Sequence, residues 1–387
     1  MLQAGGMIAV KADPIELLRK RTSEKWTAYP PDVLPLFVAE MDYPLASVIS
    51  DALIARIGAS DTGYVPSPGP LAPSFAGYAE RTWGWRVEPR WVRTTTYVSV
   101  AIVESLRMLI APGDGVVITP PVYPPFFDLV AEAGAVVVEV PLVDDGSSWS
   151  LDHDALELAF AAGARAFLLC NPHNPLGLVH SADSLRAVAA LAERFGVAVI
   201  SDEIHAPLVL KGTTFTPYLS VSEAASDNGI AVTSASKAWN LAGLKCALMV
   251  AGSAQGARVL DAMPAEVGYR TSLLGLHASV AAFDHGQPWL DGALSAIATS
   301  RDLLATLVRE LLPGVGYRMP AASYLAWLDL RVLGWGDDPS IHAVEKARVA
   351  LNSGPTFGSQ GRGFARLNLA CGPEVLTEAV TRLSRAR

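Results

Sequence analysis

A lysine and three other chemically capable side chains stand just after apolar, strand-like stretches of this 387-residue chain. Asp202 follows "VAVIS", Lys237 follows "AVTSAS", Asn174 lies four residues after "AFLLC", and Tyr123 lies four residues after "VVIT". The carboxyl ends of parallel strands meet at one edge of an open α/β sheet, where such sheets bind ligands. An ammonium group at the mouth of a buried strand is costly unless something there uses it. We therefore expect these side chains to lie together and to do chemistry.

This set of groups suits a pyridine-based cofactor that accepts electrons from a substrate carbon. Lys237 can form an imine with a cofactor aldehyde, and Asp202 can keep the ring nitrogen protonated. The amide of Asn174 can donate to the ring oxygen, and the face of Tyr123 can stack on the ring. The sequence thus indicates a pyridine-based cofactor that carries an aldehyde and is held by Lys237.

A cofactor phosphate would need its own donors, and the sequence offers several. Ser234 precedes the lysine by three residues and Lys245 follows it by eight. "YVSVAIVESL" predicts a helix start whose first free amides, around Val100 and Ala101, would form an anion site. No GxGxxG follows a strand and no GxxxxGK[ST] occurs, so dinucleotide and Walker-type sites are not indicated.

The elements around these residues predict an α/β fold. Short apolar runs at 116–119, 136–140, 166–170, 197–201, 231–234 and 246–251 are typical of strands covered on both faces. Between them, residues 181–195 have helical periodicity, with Ser181 as the N-cap and Gly196 at the end. We predict a mostly parallel sheet between helices in a large domain, 46–284, and a smaller α+β domain from 1–45 and 285–387.

Composition excludes some classes of partner. A net charge of -8 and a pI near 5.4 provide no basic surface for nucleic acid or anionic membranes. The first 21 residues lack the pattern of a secretory signal, and no apolar run is long enough to span a membrane, so we expect a cytoplasmic protein. Its three widely spaced cysteines indicate neither disulfides nor a zinc site, and no histidine spacing suggests another metal. A small polar substrate fits best.

Five motifs in order resemble those of fold type I pyridoxal-phosphate enzymes of aminotransferase class I/II, and among them the cystathionine β-lyase-like C–S lyases. They cover nearly the whole chain, from about Lys25 to the last helix. The motifs are "KWTAYPPDVLPLFVAEMDYP", "NPHNPLG", "SDEIH", "SASKAWNLAGLK" and "FARLNLACGP". The resemblance implies a seven-stranded sheet in the large domain and pyridoxal phosphate as the cofactor.

The resemblance also implies a role for each matching residue. It makes Lys237 the imine-forming lysine and proton shuttle, and Arg366 the residue that binds the substrate α-carboxylate, close to Ala39. It makes Tyr64 the tyrosine that reaches the phosphate in the neighbouring subunit, so that a homodimer shares its active sites. The remaining positions keep the roles given above: Asp202 at the ring nitrogen, Asn174 at the ring oxygen, Tyr123 on the ring, and Ser234, Lys245, Val100 and Ala101 at the phosphate.

Some positions depart from the family pattern and leave the substrate open. They are Leu176, Pro207, Ala238 and Trp239, which replace residues common elsewhere in the family. His205 lies three residues after Asp202, where it either tunes the cofactor or supports the aspartate. Met41, Tyr43, Tyr324 and residues 264–272 are candidates for lining the thiol side of the substrate pocket.

The activity implied by the resemblance is β-elimination on L-cystathionine or a related cysteine S-conjugate. Lys237 would remove the α-proton as general base, a thiolate would leave Cβ, and pyruvate and ammonia would follow. Three alternatives remain open: an aminotransferase, a tailoring enzyme of secondary metabolism that acts on a larger cysteine conjugate, and a non-catalytic binding or regulatory protein.

Overall fold

The strands position the candidate residues, and their bounds are known from a computed structural model that describes residues 8–65 and 67–387. The strands are β1 (Leu34–Pro35), β2 (Val92–Thr95), β3 (Gly115–Ile118), β4 (Val136–Glu139), β5 (Val143–Asp144), β6 (Trp149–Ser150), β7 (Ala166–Cys170), β8 (Ala198–Asp202), β9 (Gly229–Thr233), β10 (Ala247–Ala251), β11 (Gly316–Tyr317), β12 (Leu325–Asp329), β13 (Val349–Ala350), β14 (Asn352–Ser353) and β15 (Phe364–Asn368).

Helices separate most of these strands along the chain. They are α1 (Ile15–Leu18), α2 (Glu24–Thr27), α3 (Ser47–Gly58), α4 (Leu71–Trp83), α5 (Val98–Leu109), α6 (Pro125–Glu132), α7 (His153–Ala161), α8 (Ala182–Phe195), α9 (Glu223–Asn228), α10 (Ala254–Asp261), α11 (Ala265–Tyr269), α12 (Leu273–His285), α13 (Gln287–Leu311), α14 (Pro339–Ala347) and α15 (Pro373–Arg385). Within the described residues, none of these helices combines the length and the apolar character that crossing a membrane requires.

The chain divides into two compact units. The larger contains Leu45–His173 and Leu178–Gln287. The smaller contains the segment that ends at Pro44, the loop Asn174–Gly177 and Pro288–Arg387. No pattern in the sequence indicates that this four-residue loop packs with the smaller unit.

The larger unit is built on a seven-stranded sheet in the order β2-β10-β9-β8-β7-β3-β4. Strand β10 is antiparallel to both its neighbours, and the remaining pairs are parallel. The predicted mostly parallel α/β sheet is therefore confirmed. The sequence analysis does not predict β2, because its "VRTT" has one apolar residue; the sheet instead buries its two threonines, Thr94 and Thr95.

Helix α8 shows how local sequence sets the elements of this sheet. The Ser181 side chain accepts a hydrogen bond from the amide of Ser184, and Gly196 ends the helix with φ of 65°. Both ends are as predicted. The face toward the core carries four buried residues, Leu185, Val188, Ala189 and Ala192.

The smaller unit is an α+β structure. Its main sheet is antiparallel, in the order β11-β12-β15-β14. A short parallel pair, β1 with β13, lies elsewhere in the same unit. The last helix, α15, buries the predicted apolar side, Leu376, Ala379, Val380 and Leu383.

We expect Gly177→Ala to destabilise the protein more than Gly334→Ala. Both glycines have positive φ, 60° and 69°, so alanine at either is strained by about 1–2 kcal/mol. A Cβ at Gly177 would also collide with Pro320 and lie 2.5 Å from the carbonyl oxygen of Ala322, whereas nothing lies within 4 Å of one at Gly334. This clash should lower the free energy of unfolding, measured in urea, by about a further 1–3 kcal/mol. Equal losses would contradict this packing.

Candidate active site

Asp202 is the last residue of β8, and its carboxyl group is buried at the carboxyl end of the sheet. One carboxylate oxygen accepts a hydrogen bond from the amide of Ile204 at 3.1 Å. Burial raises the pKa of Asp202 to about 7, while the Ile204 amide and the nearby Lys237 ammonium oppose the rise. The structure therefore brings the predicted aspartate and lysine within electrostatic reach of each other.

Lys237 lies in a turn that follows the adjacent strand β9. The amide of Trp239 donates to the carbonyl of Ala235 at 3.0 Å, and the amide of Leu241 donates to that of Ser236 at 2.8 Å. The Trp239 side chain anchors this turn, because it is fully buried and its indole N–H donates to the carbonyl of Gly286 at 3.0 Å. The lysine thus lies in a hydrogen-bonded turn that a buried indole anchors.

Lys245 and the start of α5 lie together at the predicted phosphate site. The Lys245 ammonium sits over the ring of Tyr97, 3.9 Å from its centroid, and Tyr97 is the N-cap of α5. Helix geometry leaves the first amides, including that of Val100, without acceptors inside the helix. The prediction of a free amide at Ala101 is wrong, because that amide donates to the carbonyl of Tyr97 at 2.9 Å and closes the first turn.

Ser234 has a different hydrogen bond from the one expected. Its buried hydroxyl donates to the carbonyl of Cys246 at 2.6 Å and accepts from the amide of Ser236 at 3.0 Å. A hydroxyl has one proton. In this structure, Ser234 links the end of β9 to the residue before β10, and its proton would have to leave the Cys246 carbonyl to reach a phosphate.

Tyr123 follows β3 and is half-buried, with its ring edge-on to Phe126 at 5.8 Å. Burial lowers the pKa of the neighbouring His173 to about 4, so its imidazole is neutral. His173 Nε2 lies 2.8 Å from the carbonyl oxygen of Pro121, and a neutral ring must donate there. This contact ties the segment that carries Tyr123 to the end of β7.

The two remaining predicted residues of the larger unit differ in exposure. His205 is buried three residues after Asp202. Tyr64 is 88% exposed, although it is a large aromatic residue. The larger unit by itself therefore leaves most of this ring uncovered.

In the smaller unit, Arg366 and Asn174 contact each other. Arg366 lies on β15 and is buried, and its guanidinium donates to the side-chain oxygen of Asn174 at 3.0 Å and to the carbonyl of Phe37 at 3.0 Å. Because Asn174 accepts through its oxygen, its NH₂ group is oriented as the donor that the sequence analysis expects. Arg366 also faces the ring of Phe357, 5.1 Å from the centroid.

Ala39, predicted to lie near the substrate, belongs to an irregular segment of the same unit. Its carbonyl accepts a hydrogen bond from the hydroxyl of the buried Tyr324 at 3.0 Å. Met41 and Tyr43 are buried as well. The structure therefore assembles two groups of predicted residues, one in each unit.

Three buried polar residues near these groups were missed by sequence reasoning. Glu203 follows the catalytic candidate Asp202 and accepts hydrogen bonds from the amide of Tyr218 at 2.8 Å and the hydroxyl of Ser201 at 3.0 Å. Lys25 and Asn368 are buried in the smaller unit. The signal for Glu203 was its place beside Asp202 at a strand end, but no local pattern distinguishes a buried glutamate from an exposed one.

No group of three or more histidine, cysteine, aspartate or glutamate side chains in residues 8–65 and 67–387 is placed to hold a metal ion. Cys170, Cys246 and Cys371 are all buried, and none of the three forms a disulfide.

We expect Glu203→Gln to make stability less dependent on pH. Burial raises the pKa of Glu203 to about 8, so between its unfolded pKa of about 4.3 and that value the folded state holds a proton that the unfolded state has lost. This group therefore lowers stability as pH rises through that window, by roughly 1 kcal/mol per pH unit. Glutamine keeps both acceptor contacts and does not titrate.

The measurement is the free energy of unfolding of both proteins between pH 5 and pH 8. The free energy of unfolding of the variant should increase relative to that of the wild type as pH rises. The matched control is Glu193→Gln, at an exposed position on α8, which should follow the wild type at every pH. A constant difference between Glu203→Gln and the wild type would show that Glu203 is ionised in the folded protein.

Comparisons with known proteins show which family this chain belongs to. The family model "Aminotransferase class I and II" matches residues 94–383. A Mycobacterium tuberculosis protein named "Putative cystathionine beta-lyase" is 46% identical, with 96% of each chain covered. The cystathionine beta-lyase of Corynebacterium glutamicum is 34% identical, covering 96% of this chain and 98% of its own.

A solved structure shares the whole fold. The crystal structure of cystalysin from Treponema denticola, which contains a pyridoxal 5'-phosphate cofactor, superposes with a TM-score of 0.89 at 26% identity, covering 95% of this chain and 96% of its own. The fold predicted from the sequence is therefore confirmed at the level of the whole chain. With its family model matched over most of its length and relatives this similar, the chain belongs to the aminotransferase class I and II family.

Proposed function

We propose that this protein is a pyridoxal-phosphate-dependent carbon–sulfur β-lyase. It splits L-cystathionine or a related cysteine S-conjugate into a thiol, pyruvate and ammonia, with consumption of one water molecule. The observation that carries the proposal is the buried Asp202 beside Lys237 at the carboxyl end of the sheet. The full-length similarity to the cystathionine beta-lyase of Corynebacterium glutamicum supports the reaction type.

The residues of the larger unit fit the proposed cofactor. Burial alone drives Asp202 toward its neutral form, and a protonated pyridine nitrogen is the cationic partner that would hold it ionised. The amides at the start of α5 and the Lys245 ammonium supply the positive field that a phosphate group requires. Tyr123 supplies an aromatic face and Lys237 the primary amine.

When bound, pyridoxal phosphate would supply an electron sink for the charge that develops on the substrate α-carbon. Asp202 holds the proton on the ring nitrogen, because its buried carboxylate is more stable beside a cation than alone. Lys237 takes the α-proton as general base. The carbon–sulfur bond then breaks, the electron pair leaves with the thiolate, and the three-carbon fragment hydrolyses to pyruvate and ammonia.

Arg366 orients the substrate in this proposal. Its planar guanidinium suits bidentate binding of the α-carboxylate. Its contacts with Asn174 and the Phe37 carbonyl fix the plane of the guanidinium before any substrate arrives. Ala39 lies in the segment that carries this carbonyl, so the same backbone would border the carboxylate.

An aminotransferase is the second candidate, since the matching family model carries that description. The two reactions share proton removal by Lys237 and differ in the fate of the products. Incubation with L-cystathionine distinguishes them. Pyruvate and ammonia support the lyase, whereas conversion of the cofactor to its amine form with release of the keto acid of the intact substrate supports transamination and would overturn the proposal.

We also propose that two copies share their active sites. Tyr64 is 88% exposed, and Ile54 and Ile57 of α3, in the same unit, are 66% and 59% exposed. Exposed apolar side chains of this kind suit an interface with a second copy, in which Tyr64 would reach the partner's phosphate site. Three cysteines that form no disulfide suit a reducing compartment, so the proposal places the enzyme in the cytoplasm.

Replacing Lys237 should abolish the reaction. Lys237→Ala removes both the attachment point and the general base, so β-elimination should fall by at least about a thousandfold. Lys237→Arg keeps the positive charge near Asp202 but cannot react with the aldehyde, and it should be equally inactive. The measurement is pyruvate release from L-cystathionine together with the visible absorbance of bound cofactor. Residual turnover near that of the wild type would refute the assignment.

Mixing Tyr64→Ala with Lys237→Ala, at a cofactor concentration too low to load the Tyr64→Ala sites, tests the shared site. Tyr64→Ala should weaken cofactor binding by about tenfold or more, as expected for loss of one phosphate contact. When Tyr64→Ala and Lys237→Ala are unfolded and refolded together, each mixed dimer contains one site with neither defect. Activity should then return to about a quarter of the wild-type level. No recovery in a mixture shown to contain mixed dimers would contradict shared sites.

A further inference from the structure

One irregular segment of the smaller unit, residues 36–43, has every carbonyl group engaged. Each carbonyl oxygen accepts a hydrogen bond from a donor elsewhere in the unit. Backbone amides donate to two of them, that of Asn368 to Leu36 and that of Asp13 to Asp42. Side chains donate to the others: Arg366 to Phe37, Asn368 to Val38, Tyr324 to Ala39, Lys25 and Asn368 to Glu40, and Arg21 to Met41 and Tyr43. Ordinary loop segments use water for many of these acceptors. This one is held by protein donors throughout.

Asn368 makes more of these bonds than any other residue of the set. Both protons of its side-chain amide are used, one on the carbonyl of Val38 at 2.8 Å and one on that of Glu40 at 2.6 Å. Its side-chain oxygen accepts from the amide of Ala370 at 2.7 Å, which fixes the orientation of the amide. The side chain is buried, so no water can replace these donors.

Asn368 and Arg366 act on the same segment from the same strand. They are two residues apart on β15, so their side chains project to the same face of the sheet. Arg366 donates to the carbonyl of Phe37, and Asn368 donates to the next carbonyl, that of Val38. The position of the Phe37 carbonyl, and with it the plane of the Arg366 guanidinium, therefore depends on Asn368.

Lys25 holds the far end of the same segment. It is 1% exposed, and its ammonium donates to the carbonyl of Glu40 at 3.1 Å and pairs with the carboxylate of Asp42 at 2.5 Å. A lysine this deeply buried needs such a partner. Glu40 is thus fixed from two sides, by Lys25 and by Asn368.

We propose that Asn368 is a positioning residue for recognition of the substrate α-carboxylate, acting through Arg366. It fixes the backbone of Phe37–Glu40, which in turn holds the guanidinium in the plane that a carboxylate requires. This inference rests on the proposed function, because it assumes an amino-acid substrate. It adds a residue whose effect is specific to the carboxyl group of the ligand and absent for the amine.

The test compares two ligands that differ only in the carboxyl group, L-alanine and ethylamine. Each is titrated into cofactor-loaded enzyme, and binding is read from the visible absorbance of the cofactor. Asn368→Ala should lower the affinity for L-alanine by about tenfold, the effect of losing buried hydrogen bonds. The affinities for ethylamine and for pyridoxal phosphate should stay unchanged. Equal weakening of both ligands would show a general structural role and overturn the proposal.

A double-mutant cycle tests the route of the effect. Arg366→Lys removes the planar guanidinium and should by itself lower the affinity for L-alanine. If Asn368 acts through Arg366, adding Asn368→Ala to this variant should cause little further loss, because interacting residues are not additive. Losses that multiply independently would overturn the proposal.

A conservative variant covers the case in which Asn368→Ala does not fold. Asn368→Ser retains one donor, so it should give a smaller loss of L-alanine affinity with the same selectivity over ethylamine. No loss for Asn368→Ser in a folded protein would count against the proposal. A wild-type enzyme that binds pyridoxal phosphate but does not prefer L-alanine to ethylamine would instead refute the proposed carboxylate role of Arg366, which separates the two failures.

Discussion

In the proposed mechanism, a carboxyl group that is buried at the end of a central strand sets the chemistry of this protein. The interior raises the pKa of Asp202 to about 7, with Lys237 as the nearby cation that opposes the rise. A group held so near its point of ionisation responds strongly to any further positive charge. A protonated pyridine nitrogen would be such a charge, and the ion pair would stabilise both partners. In the proposed mechanism, cofactor binding and electron withdrawal are thus two consequences of one desolvated carboxylate.

The rest of the larger unit keeps that carboxylate and its partners in place. Adjacent parallel strands β8 and β9 bring Asp202 and the turn of Lys237 to one edge, and the buried Trp239 anchors that turn through its hydrogen bond to the carbonyl of Gly286. In the smaller unit, hydrogen bonds from β15 and its neighbours fix the backbone beside Arg366. Each unit therefore prepares its own residues in advance, and such preorganisation is the main source of enzymatic rate enhancement.

The sequence predicts the parts of this structure that depend on local patterns. The parallel sheet, both ends of α8 and the buried face of α15 follow from apolar periodicity and capping residues. Strand β2 escapes prediction because its threonines are buried only by tertiary packing. The predicted free amides extend one residue too far along α5, to Ala101, and only the hydrogen bonds of the helix reveal this difference. The burial of Lys25 and Asn368 is not predicted either, because their hydrogen-bond partners are distant in the sequence. The roles of the individual site residues stay predictions.

The protonation state of the cofactor ring nitrogen tests this account most directly. Enzyme loaded with pyridoxal phosphate that is ¹⁵N-labelled in the ring can be measured by nitrogen NMR at neutral pH, for the wild type and for Asp202→Ala. The account predicts a protonated nitrogen in the wild type and an unprotonated one in the variant. An unprotonated nitrogen in the active wild-type enzyme would contradict it.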